Sequence, residues 1–205
     1  MTISVHPGAD DRDWGGRLPR NEAIDLDDDQ RAARDEIVGR SARWAERSGF
    51  APTDDQGGLI GPFNAFTLRP GPGRAFNQWV QTDQRGSSLS TTIREVVILT
   101  VGVAWQADYE IYAHVAVART VGLSETVIAG LRSGDTEGFS PDELAAHRFT
   151  DELVRTHRVS DATYAAAEEA FGRDGVLDMV HLTGMYLATS ALLNAFEVPA
   201  PPIPG

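Results

Sequence analysis

Apolar positions recur with a helical period along most of the chain. Over residues 29–47 they form one stripe that ends near Gly49, as in an amphipathic helix packed on a core. Residues 91–104 are apolar on nearly every side, which is typical of a helix buried at the centre of a domain. Capping residues and helical periods predict further helices at 72–84, 107–121, 124–134, 140–156, 160–171 and 174–195.

Two segments have patterns that fit more than one type of secondary structure. Residues 91–104 contain a β-branched run that could be mistaken for a strand. No turn signal follows this run and no second strand pattern exists to pair with it, so we assign it to a helix. The segment Gly61–Phe66 is apolar but short, and it predicts a single turn between joints rich in glycine and proline. These patterns predict an all-α bundle of about seven to eight helices.

The chain divides into three parts. Residues 1–28 are polar and end in a run of aspartates, so we expect an acidic N-terminal arm that wraps a neighbouring subunit. Residues 29–197 form a single helical domain, since 205 residues suit one hydrophobic core. Residues 198–205 are rich in proline, which cannot continue a helix, and we expect an extended tail.

Charge and hydropathy narrow the classes of partner. The net charge of −12 argues against nucleic acid and anionic membranes, because both require a basic surface. A few local arginines can still hold a small anionic substrate. The N-terminus has no apolar signal region, and no uninterrupted apolar run reaches the roughly 18 residues of a membrane span. We therefore expect a cytoplasmic protein that binds a small molecule.

The chain contains no cysteine. Disulfides, cysteine-ligated zinc, iron–sulfur clusters and thiol catalysis are therefore excluded.

Ionisable side chains lie on the apolar face of the predicted helix 107–121. The stripe reads Ala107, Glu110, His114, Val117 and Val121, so Glu110 and His114 are one turn apart and can touch. Burying either side chain without a partner costs several kcal/mol. Two explanations stay open. The pair satisfies itself structurally, or it lines a pocket and transfers protons, as a histidine beside a carboxylate can do near neutral pH.

Glu95 is a third candidate, because Ile98 and Leu99 lie on its side of the preceding buried helix. A carboxylate among aliphatic side chains is a candidate general acid. The structural alternative is a glutamate in the first helical turn that interacts with the helix dipole.

These residues belong to a longer motif. Thr92–Leu99, followed by Trp105–His114 and Gly122–Ser124, resembles the carboxymuconolactone decarboxylase family, which is similar to the alkylhydroperoxidase D group. Gly61–Ala65 and Leu193–Phe196 also look like segments of its longer members. The resemblance covers roughly residues 33 to 200.

The resemblance implies which residues form the site. The peroxidase branch uses a glutamate, a Cys-x-x-Cys pair and a histidine, and these places look like Glu95, Ala107, Glu110 and His114. With both cysteines absent, no thiolate can attack a peroxide. What the family then implies is an all-helical fold without a cofactor, a site near subunit interfaces, and trimers or hexamers.

The resemblance also implies a reaction. In the family's type reaction an unsaturated lactone loses carbon dioxide and an acid protonates the ring, without a metal or cofactor. His114 would be the proton donor or base, Glu110 would orient it, and Glu95 would relay the proton. We thus expect a lyase acting on a small anionic lactone or ring. The alternatives are a tailoring decarboxylase or cyclase with a larger aromatic or polyketide substrate, and a non-catalytic oligomeric ligand-binding protein.

Further residues are candidates for substrate binding, each with a structural alternative. Tyrosine hydroxyls can bind substrate or the rings can simply pack in the core, and arginines can clamp a carboxylate or lie solvated on the surface. His181 is either a satisfied core histidine or a pocket residue. A metal site is not expected, since Glu110 and His114 supply two ligands and no third is apparent. The substrate-binding set is Tyr109, Tyr112, Arg94, Trp79, Phe63, Asn64 and His181, with Arg69, Arg74 and Arg119 as further clamps.

Overall fold

The computed structural model describes residues 14–21, 25–54 and 56–201, and every regular element in these ranges is helical. An isolated bridge between Thr53 and Leu59 is the one strand-like pairing they contain. The all-α prediction is therefore confirmed. The elements are α1 (Asp28–Ile37), a π-helical turn (Val38–Ala42), α2 (Arg43–Arg47), α3 (Pro62–Leu68), α4 (Pro70–Gly86), α5 (Thr91–Trp105), α6 (Asp108–Thr120), α7 (Glu125–Ser133), α8 (Pro141–Thr156) and α9 (Asp161–Ala195).

Side-chain caps fix several helix starts. The side chain of Ser90 accepts a hydrogen bond from the backbone of Ile93 at the start of α5, and Ser124 caps α7 in the same way. Ser140 and Glu143 form a reciprocal capping box at α8. Such caps satisfy backbone N–H groups that lack partners inside the helix, so these starts could be predicted to within a residue.

The observed helices differ from the predicted ones at three places. The helix predicted at 29–47 contains the π-helical turn Val38–Ala42. The apolar segment predicted as one turn is the seven-residue helix α3. The helices predicted at 160–171 and 174–195 run together as α9, which bends at Gly172, where φ is 66°. Glycine tolerates this positive φ, so the chain kinks there without a separating loop.

Helix α5 forms the centre of the bundle and packs against α6, α8 and α9. Val96, Val97 and Leu99 of α5 have no solvent exposure. A second cluster of buried residues lies on the other side of α6 and includes Tyr109 and Tyr112. Helix α6 is therefore buried on both sides, and its buried residues Glu110 and His114 lie between two cores.

Gly102 allows α5 and α6 to approach closely. A Cβ atom at this position would lie 3.3 Å from the Cβ atom of Glu110, tighter than ordinary van der Waals contact. The glycine thus brings the backbone of α5 against the turn of α6 that carries Glu110.

The described residues near both termini pack on the body of the chain. The backbone N–H of Arg17 donates to the carbonyl of Phe196 over 2.7 Å, and Val198 is buried. Residues 14–21 therefore contact their own chain. The expected contact of the arm with a neighbouring subunit stays a prediction, and the rest of the arm at 1–13 and 22–24 lies outside the described residues.

Helix α9 is long and apolar enough, by length and mean hydropathy alone, to cross a membrane. The sequence led us to expect no such segment. A core helix of a helical bundle passes the same test, and α9 packs against α5 and α8. Part of its apolar surface is nevertheless exposed, at Leu177 and Val180. The trimer or hexamer, and the cytoplasmic location, stay predictions.

We predict that Gly61→Ala destabilises the protein far more than Gly57→Ala. Both glycines have positive φ, but a Cβ at Gly61 would lie 2.2 Å from the ring of Tyr109, whereas a Cβ at Gly57 meets nothing within 4 Å. The backbone cost of about 1 kcal/mol is common to both, and the clash should add roughly 2 kcal/mol. Urea unfolding measures the difference, and equal losses would contradict the close packing of α3 on α6.

Candidate active site

His114 lies between two carboxylates. Its Nδ1 is 2.8 Å from Oε2 of Glu95, and its Nε2 is 3.5 Å from Oε2 of Glu110. The exposed fractions are only 6% for Glu95, 4% for Glu110 and 5% for His114. An ionised carboxylate can only accept, so Nδ1 donates the hydrogen bond to Glu95. The expected grouping of the three side chains is therefore present.

Two neighbouring helices supply the three groups. Glu110 and His114 lie one turn apart on α6, and Glu95 comes from α5. The first turn of α5 contains no acidic residue, so Glu95 does not serve the helix dipole. Its hydrogen bond to His114 also differs from our expectation that Glu110 orients the imidazole. Glu95 makes the shorter contact and holds Nδ1.

Burial and mutual charge alter the protonation of the group. Burial raises the pKa of Glu110 to about 7; the nearby charge of His114 partly offsets this, and that of Glu95 adds to it. Burial alone would lower the pKa of His114, but the charge and hydrogen bond of Glu95 outweigh it and raise that pKa. The imidazole of His114 therefore holds its proton more tightly than a free imidazole does, beside a carboxyl group that can gain or lose a proton near neutral pH.

A cavity of about 250 Å³ reaches Glu110 and His114. Its walls are largely aromatic, with Phe63 and Tyr109 among them. Glu110 and His114 are buried, whereas Arg40, Arg47 and Gln84 on the lining are exposed. Glu110 and His114 therefore lie at the closed end of the cavity, and the exposed residues form its mouth. Further aromatic wall residues are Trp44, Phe50, Phe66, Phe76 and Tyr186.

The two predicted tyrosines on α6 use their hydroxyls to hold a loop. The hydroxyl of Tyr109 donates to the carbonyl of Ala51 over 3.1 Å, and that of Tyr112 accepts from the Ala51 N–H over 2.8 Å. Tyr109 still lines the cavity with its ring, as Phe63 does. Tyr112 is not among the described lining residues. The ring of Tyr109 therefore forms part of the cavity wall, and both hydroxyl groups are hydrogen-bonded to the backbone of Ala51.

The predicted arginine clamps are engaged elsewhere or exposed. Arg94 is buried in an ion pair with Asp83, at 2.6 Å. Arg119 pairs with Glu125, and Arg69 is exposed. Arg74 pairs with Asp29 and Glu36 and lines a surface groove that adjoins the cavity at Arg40. Of the lining residues that the structure describes, none is one of these four arginines.

Three further candidates must be corrected. Trp79 is 42% exposed on α4, and His181 is exposed on α9 rather than buried in the core or the pocket. Asn64 is buried, but its amide accepts from the backbone of Asn21 and donates to the carbonyl of Pro19. The described part of the cavity wall includes none of these three. Asn64 instead anchors the N-terminal segment on α3.

Tyr186 and Thr189 of α9 line the cavity but were missed. The ring of Tyr186 meets the imidazole of His114 edge to face, with centroids 4.9 Å apart. Burial raises the pKa of Tyr186 well above its usual value, so the phenol stays neutral. The sequence pattern could have predicted that these two residues face the interior. Positions 182, 186, 189 and 193 form one helical stripe with buried leucines at both ends.

Metal ligation finds no support in the ranges that the structure describes, since no group of three histidine, aspartate or glutamate side chains there could hold an ion. His147 hydrogen-bonds Thr100 through Nδ1 at 2.9 Å, away from the cavity. Glu95, Glu110 and His114 are the ionisable groups that lie together at the closed end of the cavity.

Comparison with solved structures identifies the fold. An AhpD-core peroxidase-related protein from Ralstonia eutropha superposes with a TM-score of 0.71 at 21% identity, covering 90% of this chain and 91% of that one. A peroxidase-related protein from a Silicibacter species gives 0.68 at 17% identity, over 89% and 90%. A cysteine-to-alanine variant of the debrominase Bmp8, in complex with 2,3,4-tribromopyrrole, gives 0.68 at 11% identity, over 95% and 93%.

Comparison of sequences adds the family. A search of curated proteins finds no match. The model of the carboxymuconolactone decarboxylase family matches residues 70–152, a segment that contains Glu95, Glu110 and His114. The resemblance predicted from the sequence is thus confirmed: residues 70–152 match the model of the carboxymuconolactone decarboxylase family, and the chain has an all-helical, AhpD-like fold.

Proposed function

We propose that the protein is a cofactor-independent enzyme of the decarboxylase type, which transfers a proton to carbon in a small unsaturated lactone or ring. One observation carries this proposal. The carboxyl group of Glu110, whose pKa is raised to about 7, lies at the closed end of a cavity and beside His114. A general acid works best when its pKa is near the working pH.

The size of the cavity favours a small substrate over a large one. Sites for drug-sized ligands usually enclose about 300 to 1,000 Å³, and this cavity encloses about 250 Å³. Its aromatic walls suit a flat, unsaturated ring. The fold-related debrominase was solved with the small ring 2,3,4-tribromopyrrole, which supports the proposal by analogy of fold. We therefore prefer a lactone-sized substrate to a polyketide.

The proposed step needs only groups that the chain provides. The bond between a ring carbon and its carboxylate breaks, carbon dioxide leaves, and the electron pair moves into the unsaturated system. Glu110 then gives its proton to the carbon that carries the negative charge. The resulting carboxylate is stabilised by the imidazolium of His114, which Glu95 holds through Nδ1. Water finally returns a proton to Glu110.

In this proposal Glu110 takes the role of proton donor that the sequence analysis gave to His114. From the sequence we expected His114 to be the donor and Glu110 to orient it. We now propose Glu110 as the donor because it contacts the cavity and is not held by a short hydrogen bond. His114 is committed to Glu95 at 2.8 Å and serves as the positive partner of the carboxylate that forms.

We predict that Glu110→Gln lowers turnover by about 100-fold or more, because the amide keeps the shape but cannot donate an acidic proton. The assay uses a panel of small unsaturated lactone carboxylates and follows release of carbon dioxide. Glu46→Gln, on the exposed side of α2, is the matched control and should keep full activity. Wild-type turnover by Glu110→Gln would refute the proposal, and binding without any turnover would indicate a ligand-binding protein.

We predict that the stability of the wild type falls, relative to Glu110→Gln, as the pH rises from about 4.5 to about 7. The folded pKa of Glu110 is raised above its ordinary value of 4.5, so the folded state binds the proton more tightly. This stabilisation is fully present below the unfolded pKa and is lost through the folded pKa. The change should approach roughly 3 kcal/mol, measured by urea unfolding. A flat difference between the two proteins would contradict the burial of Glu110.

We predict that Glu95→Gln lowers the pKa of His114. The charge and hydrogen bond of Glu95 raise that pKa against the opposing effect of burial, and the neutral amide removes the charge. NMR titration of the imidazole measures the shift, and Glu46→Gln, a change at an exposed residue of α2, is the control that should leave the His114 titration unchanged. An unchanged His114 titration would show that Glu95 does not hold the imidazolium.

A further inference from the structure

Three side chains of one helical segment point into the cavity. Arg40 belongs to the π-helical turn, and Trp44 and Arg47 belong to α2. Their spacing of four and three residues places them on one face, and all three line the cavity. Both arginines are exposed, so their guanidinium groups belong to the mouth, opposite the buried end with Glu110 and His114.

Arg40 and Arg47 form no ion pair with an acidic side chain of the described ranges, unlike most of the arginines that were predicted as clamps from the sequence. Arg40 donates to Oε1 of the neutral Gln81 over 2.9 Å, which leaves most of its five donors available. The side chain of Arg47 makes no hydrogen bond or ion pair to another residue of the described ranges. By contrast, Arg94 and Arg119 each face a carboxylate.

The local charge is opposite to that of the whole chain. The net charge is −12, yet the described lining of the cavity contains two arginines and a single acidic residue, Glu110. At the closed end, Glu95 lies 2.8 Å from His114 and balances its charge, so the surplus positive charge lies at the mouth. A positive cavity in an acidic protein attracts small anions and excludes cations.

We infer that Arg40 and Arg47 bind a carboxylate of the substrate at the mouth of the cavity, while the aromatic walls hold its ring. Guanidinium groups bind carboxylates through paired N–H donors. Only the position of the reacting carbon beside Glu110 rests on the proposed function. The anion site itself rests on the charge and placement of the arginines.

The inference narrows the class of substrate. A carboxylate bound to guanidinium is stabilised before the reaction, which opposes its loss as carbon dioxide. The carboxylate at the mouth is therefore one that persists in the product. The substrate is an unsaturated ring or lactone with this anchoring carboxylate and a separate reacting carbon near Glu110.

Binding of two unreactive probes to the full-length protein tests the inference without catalysis. Benzoate and benzamide share a flat ring and a similar shape, and only benzoate carries a charge. Titration calorimetry should give a Kd for benzoate at least tenfold below that for benzamide. In Arg40→Gln and Arg47→Gln the affinity for benzoate should fall about tenfold each, while that for benzamide should stay the same.

A neighbouring arginine gives the matched control. Arg43 lies on the same helical segment and is exposed, but it is not among the described lining residues. Arg43→Gln makes the same change in net charge and should leave both affinities unchanged. Arg47→Lys should bind benzoate with intermediate affinity, because it keeps the charge and loses the paired donors. Circular dichroism of each variant checks that the fold is retained.

Three outcomes would overturn the inference. These are equal affinities for benzoate and benzamide, an equal loss of benzoate affinity in Arg43→Gln, and no benzoate binding with a Kd below about 10 mM. Failure of the proposed function is a separate result. Glu110→Gln should still bind benzoate, so retained turnover in that variant would refute the acid and leave the anion site intact.

Discussion

The hydrogen bond between Glu95 and His114 is the interaction on which the site depends. It joins α5 to α6 in the interior, where an unpaired charge would cost several kcal/mol. It can form because Gly102 lets the two helices approach at the turn that carries Glu110. With the imidazole held and charged, the neighbouring Glu110 has a positive partner at 3.5 Å. Its protonation is then decided by a balance between burial and that charge.

The cavity divides its tasks among different parts of the chain. The ionisable groups come from α5 and α6, which are buried in the bundle, while the π-helical turn and α2 supply the charged mouth. Aromatic side chains of α3, α4 and α9 form walls between them. Because the mouth and the closed end lie on separate elements, the groups proposed to bind an anion can change without altering the three groups proposed for proton transfer.

Helical spacing predicted that Glu110 and His114 share one apolar face, and the family motif added Glu95. The sequence therefore located all three ionisable groups. It could not locate the mouth. Arg40 and Arg47 lie on a helix that resembles any amphipathic surface helix, and only the tertiary packing shows that they face a cavity. Arg94 failed as a clamp for the same reason, since its partner Asp83 lies on another helix. His181 failed because part of the apolar surface of α9 is not covered by this chain.

The π-helical turn has a consequence for how this cavity can diversify. A π turn of this kind contains one residue more than the α-helix it interrupts. Loss of one residue between Val38 and Ala42 would let this turn close into a regular α-helix, with the segments on its two sides close to their present register. Trp44 and Arg47 would keep their places, whereas the bulged turn that carries Arg40 would be lost. A change of length by one codon would therefore alter one of the two proposed anion-binding groups and leave the imidazole and its two carboxylates in place.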